Sequence, residues 1–203
     1  MTTLPFGIGG VFCINLDERV DRRIQVEQEL DTIGLPFERF PAIKGTPGLV
    51  GCSYSHLAVL KEARKRAYSS VLIIEDDFEF LVGKEEFWDT MRRSAETISS
   101  FDVIMLGYNI QRAVPHSIYF NKVLEAQTTS AYIVHSNMYS KLIDLYEWST
   151  PLLQSSGQHW IYANDQIWKR LQPNSQWYAF KTRIGKQRAG YSDCAENYVD
   201  YGV

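Results

Sequence analysis

Glu75, Asp76 and Asp77 are three successive carboxylates at the end of the apolar run Val71-Leu72-Ile73-Ile74. Adjacent negative charges repel one another and resist burial, so a divalent cation with oxygen ligands is an economical partner for them. In an extended chain Glu75 and Asp77 point to one side and Asp76 to the other. One side is then available to a metal while the other anchors the following loop. The same three residues also fit a solvated acidic turn after a core strand, and the motif alone does not separate the two. A second acid stands out at Asp165. If Gly157 to Leu171 forms a helix, Ile161, Asp165 and Trp168 recur at i, i+4 and i+7 and put a carboxylate on an apolar face, where it needs a partner or a task. The alternative is an Asp that caps a helix beginning after Asn164, or one paired with an arginine. His56 falls in the first turn of a helix that opens at Gly51-Cys52-Ser53-Tyr54-Ser55, whose glycine and serines offer bare N–H groups and a cap to an anion. A histidine there serves either chemistry or a structural hydrogen bond. Arg19 and Arg22 follow a strand end, where a phosphate-bearing ligand approaches, although a run of such charges also makes an ordinary solvated face.

The elements that position these groups alternate. Gly10 to Leu16 reads as a first strand, with Asp17 as N-cap of a helix whose apolar positions are Val20, Ile24, Leu30 and Ile33 and whose stop is Gly34 and Pro36. A short second strand, Phe37 to Ile43, leads through the loop Lys44-Gly45-Thr46-Pro47-Gly48 to the helix of Leu57, Leu60, Ala63 and Ala67. The Val71–Ile74 strand has no polar alternation and so is covered on both faces, and ligands of open α/β sheets gather at the carboxyl ends of such strands. Phe87, Met91, Ala95 and Ile98 mark another amphipathic helix, and Asp102 to Gly107 another buried strand. Strands at Tyr119–Glu125 and Ser130–His135, a helix from Ser136 with Met138, Leu142, Leu145 and Tyr146 inward, and a strand at Trp177–Phe180 complete the series. Lys181 to Arg188 is a basic polar run, either a solvated tail or a segment that closes over a negative ligand. The strand–helix alternation predicts an α/β fold with a mostly parallel sheet, and the absence of repeats or linkers predicts a single unit over residues 1–203.

The totals exclude several classes. A net charge of −3 leaves no electrostatic footprint for nucleic acid or an anionic membrane surface. An aromatic share of 13% suits carbohydrate stacking, and it suits a large core equally well. Cys13, Cys52 and Cys194 are odd in number and lack CxxC spacing, which argues against a disulfide framework or a structural zinc site and for a reducing, cytoplasmic setting. The start has no basic leader or long apolar run, and no later segment has the length of a membrane span, so a soluble, untargeted chain is expected, with peripheral association at most.

With these pieces in place, the chain resembles glycosyltransferase family 25, which includes bacterial lipooligosaccharide galactosyltransferases and the collagen galactosyltransferases. The resemblance rests on Ile14-Asn15-Leu16-Asp17 with Arg19 and Asp21-Arg22-Arg23, on Gly34 to Ala42, on Gly51-Cys52 with Ser55-His56, on Leu72 to Asp77, and more loosely on Thr129 to Val134. Asp165 lies where the family carries a late acidic residue, and Gln187 roughly matches a polar position near the family's C-terminal end. The resemblance implies a GT-A-like, Rossmann-type domain with Glu75-Asp76-Asp77 as the counterpart of the DxD motif. It implies inverting transfer of a hexose, galactose first, from a UDP-sugar to a hydroxyl of a glycan or related acceptor, as in lipopolysaccharide assembly. It assigns Mn²⁺ or Mg²⁺ to Asp77 with Glu75, and Asp76 to the ribose or the loop. Asp165 is the expected base with His56 behind it, and Asn15, Leu16, Arg19, Arg22, Ser55 and Gln187 lie toward the substrates. Two other readings compete. An apolar strand with an acidic pair also builds phosphoryl-transfer sites, but receiver-like chains are shorter and carry the pair near their first strand. A non-catalytic sugar- or protein-binding module on the same fold is the other.

Overall fold

The computed structural model describes residues 4–192, 197–200 and 202, so Asp193 and Cys194 lie outside the described residues. The chain begins its regular structure with β1 (Ile8–Asn15), α1 (Val20–Ile33), β2 (Glu38–Pro41), α2 (Gly48–Lys65), β3 (Ser70–Glu75), β4 (Phe78–Phe80) and α3 (Lys84–Glu96). It continues through β5 (Val103–Met105), β6 (Asn109–Pro115), β7 (Phe120–Gln127), β8 (Ala131–His135), α4 (Ser136–Ser156), the single turns α5 (His159–Tyr162) and α6 (Asn164–Ile167), and β9 (Trp177–Phe180). Short strands β10 (Gly185–Gln187), β11 (Gly190–Ser192) and β12 (Asn197–Val199) end the described chain. Eight strands form one sheet in the order β2-β1-β3-β8-β5-β9-β7-β6. Six of them run one way, with β8 and β7 reversed, so the expected α/β class with a mostly parallel sheet is present.

Alternating side chains of the central strands enter two apolar layers. Val71 and Ile73 of β3 pack with Leu57, Leu60, Leu142 and Tyr146 of α2 and α4. Leu72 and Ile74 enter the opposite layer with Leu30 of α1 and with Phe87 and Met91 of α3. All four β3 residues are fully buried, which is the two-sided covering that their unbroken apolar run predicts.

Several local expectations need correcting. Helix α1 starts at Val20 with Arg19 as N-cap, because Asp17 is drawn off to pair with Arg39. Val20 and Ile24 are exposed, and Val26 joins Leu30 and Ile33 on the inward face. The stop at Gly34 holds, with φ +68°. Helix α2 opens at Gly48, three residues earlier than expected, so Ser53, Ser55 and His56 sit inside the helix and their amides are not a terminal anion cradle. Strand β6 has no apolar signature and is absent from the sequence-based elements; it is an edge strand paired only with β7 in the sheet order.

Candidate active site

Parallel pairing of β1 and β3 sets Ile14 opposite Glu75, so Asn15, the last residue of β1, and Asp76, the first after β3, come together. Asn15 Nδ2 donates to Asp76 Oδ2 at 2.7 Å. On its other side Asn15 is held by Arg39 of β2, whose Nε donates to Asn15 Oδ1 at 2.9 Å. One turn into α1, Arg22 brings a single guanidinium nitrogen to both acids, 2.9 Å from Asp76 Oδ1 and 3.2 Å from Asp77 Oδ2, while its other terminal nitrogen donates to the Tyr191 carbonyl at 2.6 Å. Gln187 Nε2 donates to Asp77 Oδ2 at 3.0 Å. The remaining oxygen, Asp77 Oδ1, is buried and has no hydrogen-bond partner among the described residues. Burial, and then the charge of Glu75, push the Asp77 carboxyl up to about 7; burial also raises Asp76, against the pull of Arg22.

Glu75 faces a different set. Strand β3 ends at Glu75, and Asp76-Asp77 form a turn, so the strict alternation expected for the three acids does not apply. His56 Nε2 lies 2.9 Å from Glu75 Oε1, and Thr129 Oγ1 donates to the same oxygen at 2.6 Å. The other ring nitrogen of His56 is 2.9 Å from the Tyr132 hydroxyl, and the two rings stack at 5.7 Å. Burial pushes the Glu75 carboxyl up, but the hydrogen bond and charge of His56, the hydrogen bond from Thr129 and the charge of Arg22 together hold the group below its ordinary range.

The fourth acid, Asp165, is reached by a route other than the one expected. The segment around Asp165 is not one helix: Ala163 is extended, with ψ 151°, and separates α5 from α6. Ile161 and Asp165 therefore do not share a helical face, and Asp165 sits in the first turn of α6, where its Oδ2 accepts from the Thr128 amide at 3.2 Å and its Oδ1 from Gln166 at 3.3 Å. Burial raises its carboxyl above the usual range. Next to it, both amide atoms of Asn164 are buried without partners among the described residues.

These groups line one cleft of about 1130 Å³ at the carboxyl ends of β1 and β3. Ten of the eleven sequence-selected residues line it, namely Asn15, Leu16, Arg22, Ser55, His56, Glu75, Asp76, Asp77, Asp165 and Gln187. Arg19 is the exception and corrects the expectation: its guanidinium grips Asp21 at 3.0 Å, outside the cleft lining. Ser55 contributes to the wall in a specific way, accepting from the Ile43 amide at 2.8 Å and donating to the Gly51 carbonyl at 2.7 Å, so it pins the 42–47 loop to α2. That approach needs glycine at two positions, since a Cβ on Gly51 would stand 2.3 Å from the Ile43 oxygen and one on Gly45 would stand 2.2 Å from the Gly51 nitrogen. The basic run is no solvated tail. Strand β10 pairs antiparallel with β4, and Arg188 reaches Glu79 at 3.0 Å and Glu29 at 2.7 Å. Sequence reasoning missed Thr129, Tyr132, Arg39 and Cys52 as site residues. All four lie within stretches singled out for resemblance, which is the available signal, although nothing in the sequence couples Tyr132 to His56.

No protein-family model matches the chain. Curated relatives do: a "Glycosyltransferase 25 family member" of Drosophila melanogaster is 26% identical over 125 residues, 48% of this chain and 20% of that protein. One of the same name from Anopheles gambiae is 27% identical over 131 residues, again 48% of this chain and 21% of that protein. The chain thus spans about a fifth of the length of the curated relatives it matches. Among solved structures, a glycosyltransferase involved in glycosylation of the major capsid of PBCV-1 superposes with a TM-score of 0.53 at 10% identity, covering 92% of this chain and 95% of that one, a likeness of fold. About half of the chain is thus similar, at 25–27% identity, to proteins that share the name glycosyltransferase 25 family member, and the motifs that carry the resemblance to that family meet in one cleft.

Proposed function

We propose that the chain transfers a hexose, galactose first, from a UDP-sugar to a hydroxyl of a glycan acceptor, with inversion and with Mn²⁺ or Mg²⁺ as cofactor. The observation that carries this reading is the unpartnered, buried Asp77 Oδ1 in the wall of the cleft. A buried carboxylate oxygen without a donor is unfavourable in isolation and fits a hard cation. Asp77, with Glu75 directly or through water, is the pair we assign to the metal, which would stabilise charge on the departing diphosphate as a Lewis acid.

The chain's own residues have distinct tasks in this proposal. Asn15 and Arg22 fix Asp76 from two sides, which leaves Asp76 to anchor the loop or contact the ribose. Gln187 and Arg22 orient Asp77 so that Oδ1 stays available. Asp165 takes the proton of the acceptor hydroxyl as that oxygen bonds to the anomeric carbon and the bond to the diphosphate breaks. Its elevated pKa makes it a better base than an ordinary aspartate. His56 has both ring nitrogens engaged, by Tyr132 and Glu75, and we assign it to positioning Glu75. The Asn164 amide offers a donor and an acceptor to sugar hydroxyls. We place the reaction in the cytoplasm, in keeping with Cys13 and Cys52 as thiols outside any disulfide. Among the described residues no helix is long and apolar enough to cross a membrane.

Thermal shift with UDP, GDP, CMP and UDP-sugars, each with and without Mn²⁺, tests the donor class without a known acceptor, because ligand binding to the folded state raises the apparent Tm. A Mn²⁺-dependent shift confined to uridine compounds is expected. No shift with any nucleotide would refute the transferase reading and favour a binding module.

A further inference from the structure

We propose that Cys52, His56 and Glu75 form a zinc-binding site on the floor of the cleft, distinct in ligand chemistry from the oxygen-only site assigned to Mn²⁺. Cys52 and His56 are four residues apart on α2 and so share one face, and Glu75 meets them from the end of β3. One donor atom from each of the three lies within 4.8 Å of the other two, and all three residues line the cleft. Ligands at zinc distances of about 2.0–2.3 Å and a tetrahedral angle stand roughly 3.3–3.8 Å apart. The cluster therefore has to close by about an ångström at its widest, while the 2.9 Å contact of His56 Nε2 with Glu75 opens slightly. Side-chain rotation of Cys52 and Glu75 supplies such movement without shifting the backbone.

The groups around the cluster are arranged as supports for ligands. With His56 bound through Nε2, its Nδ1–H donates to the Tyr132 hydroxyl, which fixes both the tautomer and the ring plane. Thr129 donates to Glu75 Oε1 and holds the carboxylate in position. A thiolate, an imidazole and a carboxylate make a borderline-soft set that selects zinc over manganese or magnesium. Three protein ligands facing a cleft leave a fourth position for water or for an incoming oxygen of the substrate. Zinc there draws Glu75 toward Cys52, so the consequence for the proposed transferase is inhibition, a second effect that rests on the functional reading above. Binding itself does not depend on it.

The test is metal titration of the purified, reduced chain with Zn²⁺ and with Co²⁺, followed by calorimetry and absorption. Wild type is expected to take one equivalent of Zn²⁺ tightly, and the Co²⁺ form to show thiolate-to-cobalt charge-transfer absorption in the near ultraviolet. Cys52→Ala is expected to lower the affinity at least tenfold and abolish that absorption, with the melting temperature of the zinc-free protein retained. His56→Gln should weaken zinc while leaving the Asp77 contacts intact. Tight stoichiometric zinc binding that survives Cys52→Ala, or that Asp77→Ala alone removes, would overturn the proposal, as would failure of wild type to bind at tens of micromolar Zn²⁺. Failure of the transferase reading would instead appear as absent nucleotide binding with zinc binding unchanged.

Discussion

Replacing Arg22 with leucine removes the cation that, among the described residues, faces both Asp76 and Asp77. The three side chains are only 9–14% exposed, and their contacts lie at 2.9 and 3.2 Å. Breaking a buried ion pair by deleting one partner costs about 3–5 kcal/mol when the remaining charge has no relief. Relief exists here. Asp76 keeps Asn15, Asp77 keeps Gln187, and Asp77, already pushed up to about 7, takes a proton once the lowering influence of Arg22 is gone. The expected loss is therefore nearer 2–3 kcal/mol at neutral pH, which in a chain of this size is a fall in Tm of roughly 4–12 °C.

The sign of the pH dependence follows from the same shift. Asp77 binds its proton more tightly folded than unfolded, so the stability this contributes is present below its ordinary value of 3.8 and is lost as pH rises through the folded value of about 7. Without Arg22 that loss is larger, so the gap between Arg22→Leu and wild type widens from pH 5 to pH 8. Added Mn²⁺ supplies a positive charge to the same acids and is expected to recover more Tm in the mutant than in wild type. Thermal melts across pH, with and without 1 mM Mn²⁺, read all three quantities. A Tm within about 2 °C of wild type at every pH would show that the Arg22 contacts contribute little, and equal Mn²⁺ shifts in both proteins would remove the cation from Asp77.

Asp165→Asn is expected to retain UDP binding and lose transfer; because burial raises the Asp165 carboxyl, the mutant also gains thermal stability as pH rises through that elevated value, a gain absent in acid, and equal loss of binding and transfer would make Asp165 a binding residue. Thr129→Val removes a 2.6 Å hydrogen bond to Glu75, and a loss of about 1.5–3 kcal/mol is expected for a charged acceptor. Since Glu75 is held below its ordinary value of 4.5, that loss is full above 4.5 and shrinks as pH falls through the lowered folded value, which urea unfolding across a pH series from neutral into acid would check. Gly51→Ala gains about 1 kcal/mol of helix propensity but forces its Cβ to 2.3 Å from the Ile43 oxygen, so the 42–47 loop moves into the cleft and UDP affinity falls by more than stability does; unchanged UDP titration would refute the packing argument.

The parts of this molecule legible in the sequence are those governed by local pattern. The apolar run before Glu75 announced a strand covered on both faces, and Gly34 announced the end of α1, because each depends on residues adjacent in the chain. The inward face of α1 was misread because Val20 and Ile24 are apolar yet exposed, at 55% and 52%, and helical spacing alone does not say which side meets the sheet. The reading of Asp165 failed at Ala163, a residue with strong helix propensity held extended between two single-turn helices by its tertiary setting. Alternation at the three acids failed for a related reason. Periodicity of two holds within a strand, and β3 stops at Glu75, which sends Glu75 to His56 and Thr129 and leaves Asp76 and Asp77 to share Arg22.

The C-terminal basic run shows why a site can be complete in sequence and still illegible. Lys186 and Arg188 look like solvent-facing charges, but β10 adds to β4, the strand that immediately follows the acids. The Arg188 amide donates to the Asp77 carbonyl at 2.6 Å while its side chain bonds Glu79, Glu29 and Gln25. Those contacts fix the backbone on both sides of Gln187, and that fixation delivers the Gln187 amide to Asp77 Oδ2. The same segment then turns so that the Tyr191 carbonyl accepts from Arg22. Arg22 and Gln187 occupy Oδ2 of Asp77 from opposite ends of the chain, 165 residues apart, and their joint effect is to leave Oδ1 as the oxygen without a partner. The acid at the centre of the proposed metal site is thus oriented by the segment from β10 to β11, and loss of the Arg188 side chain is expected to reach the Asp77 carboxylate through the backbone of that segment and Gln187.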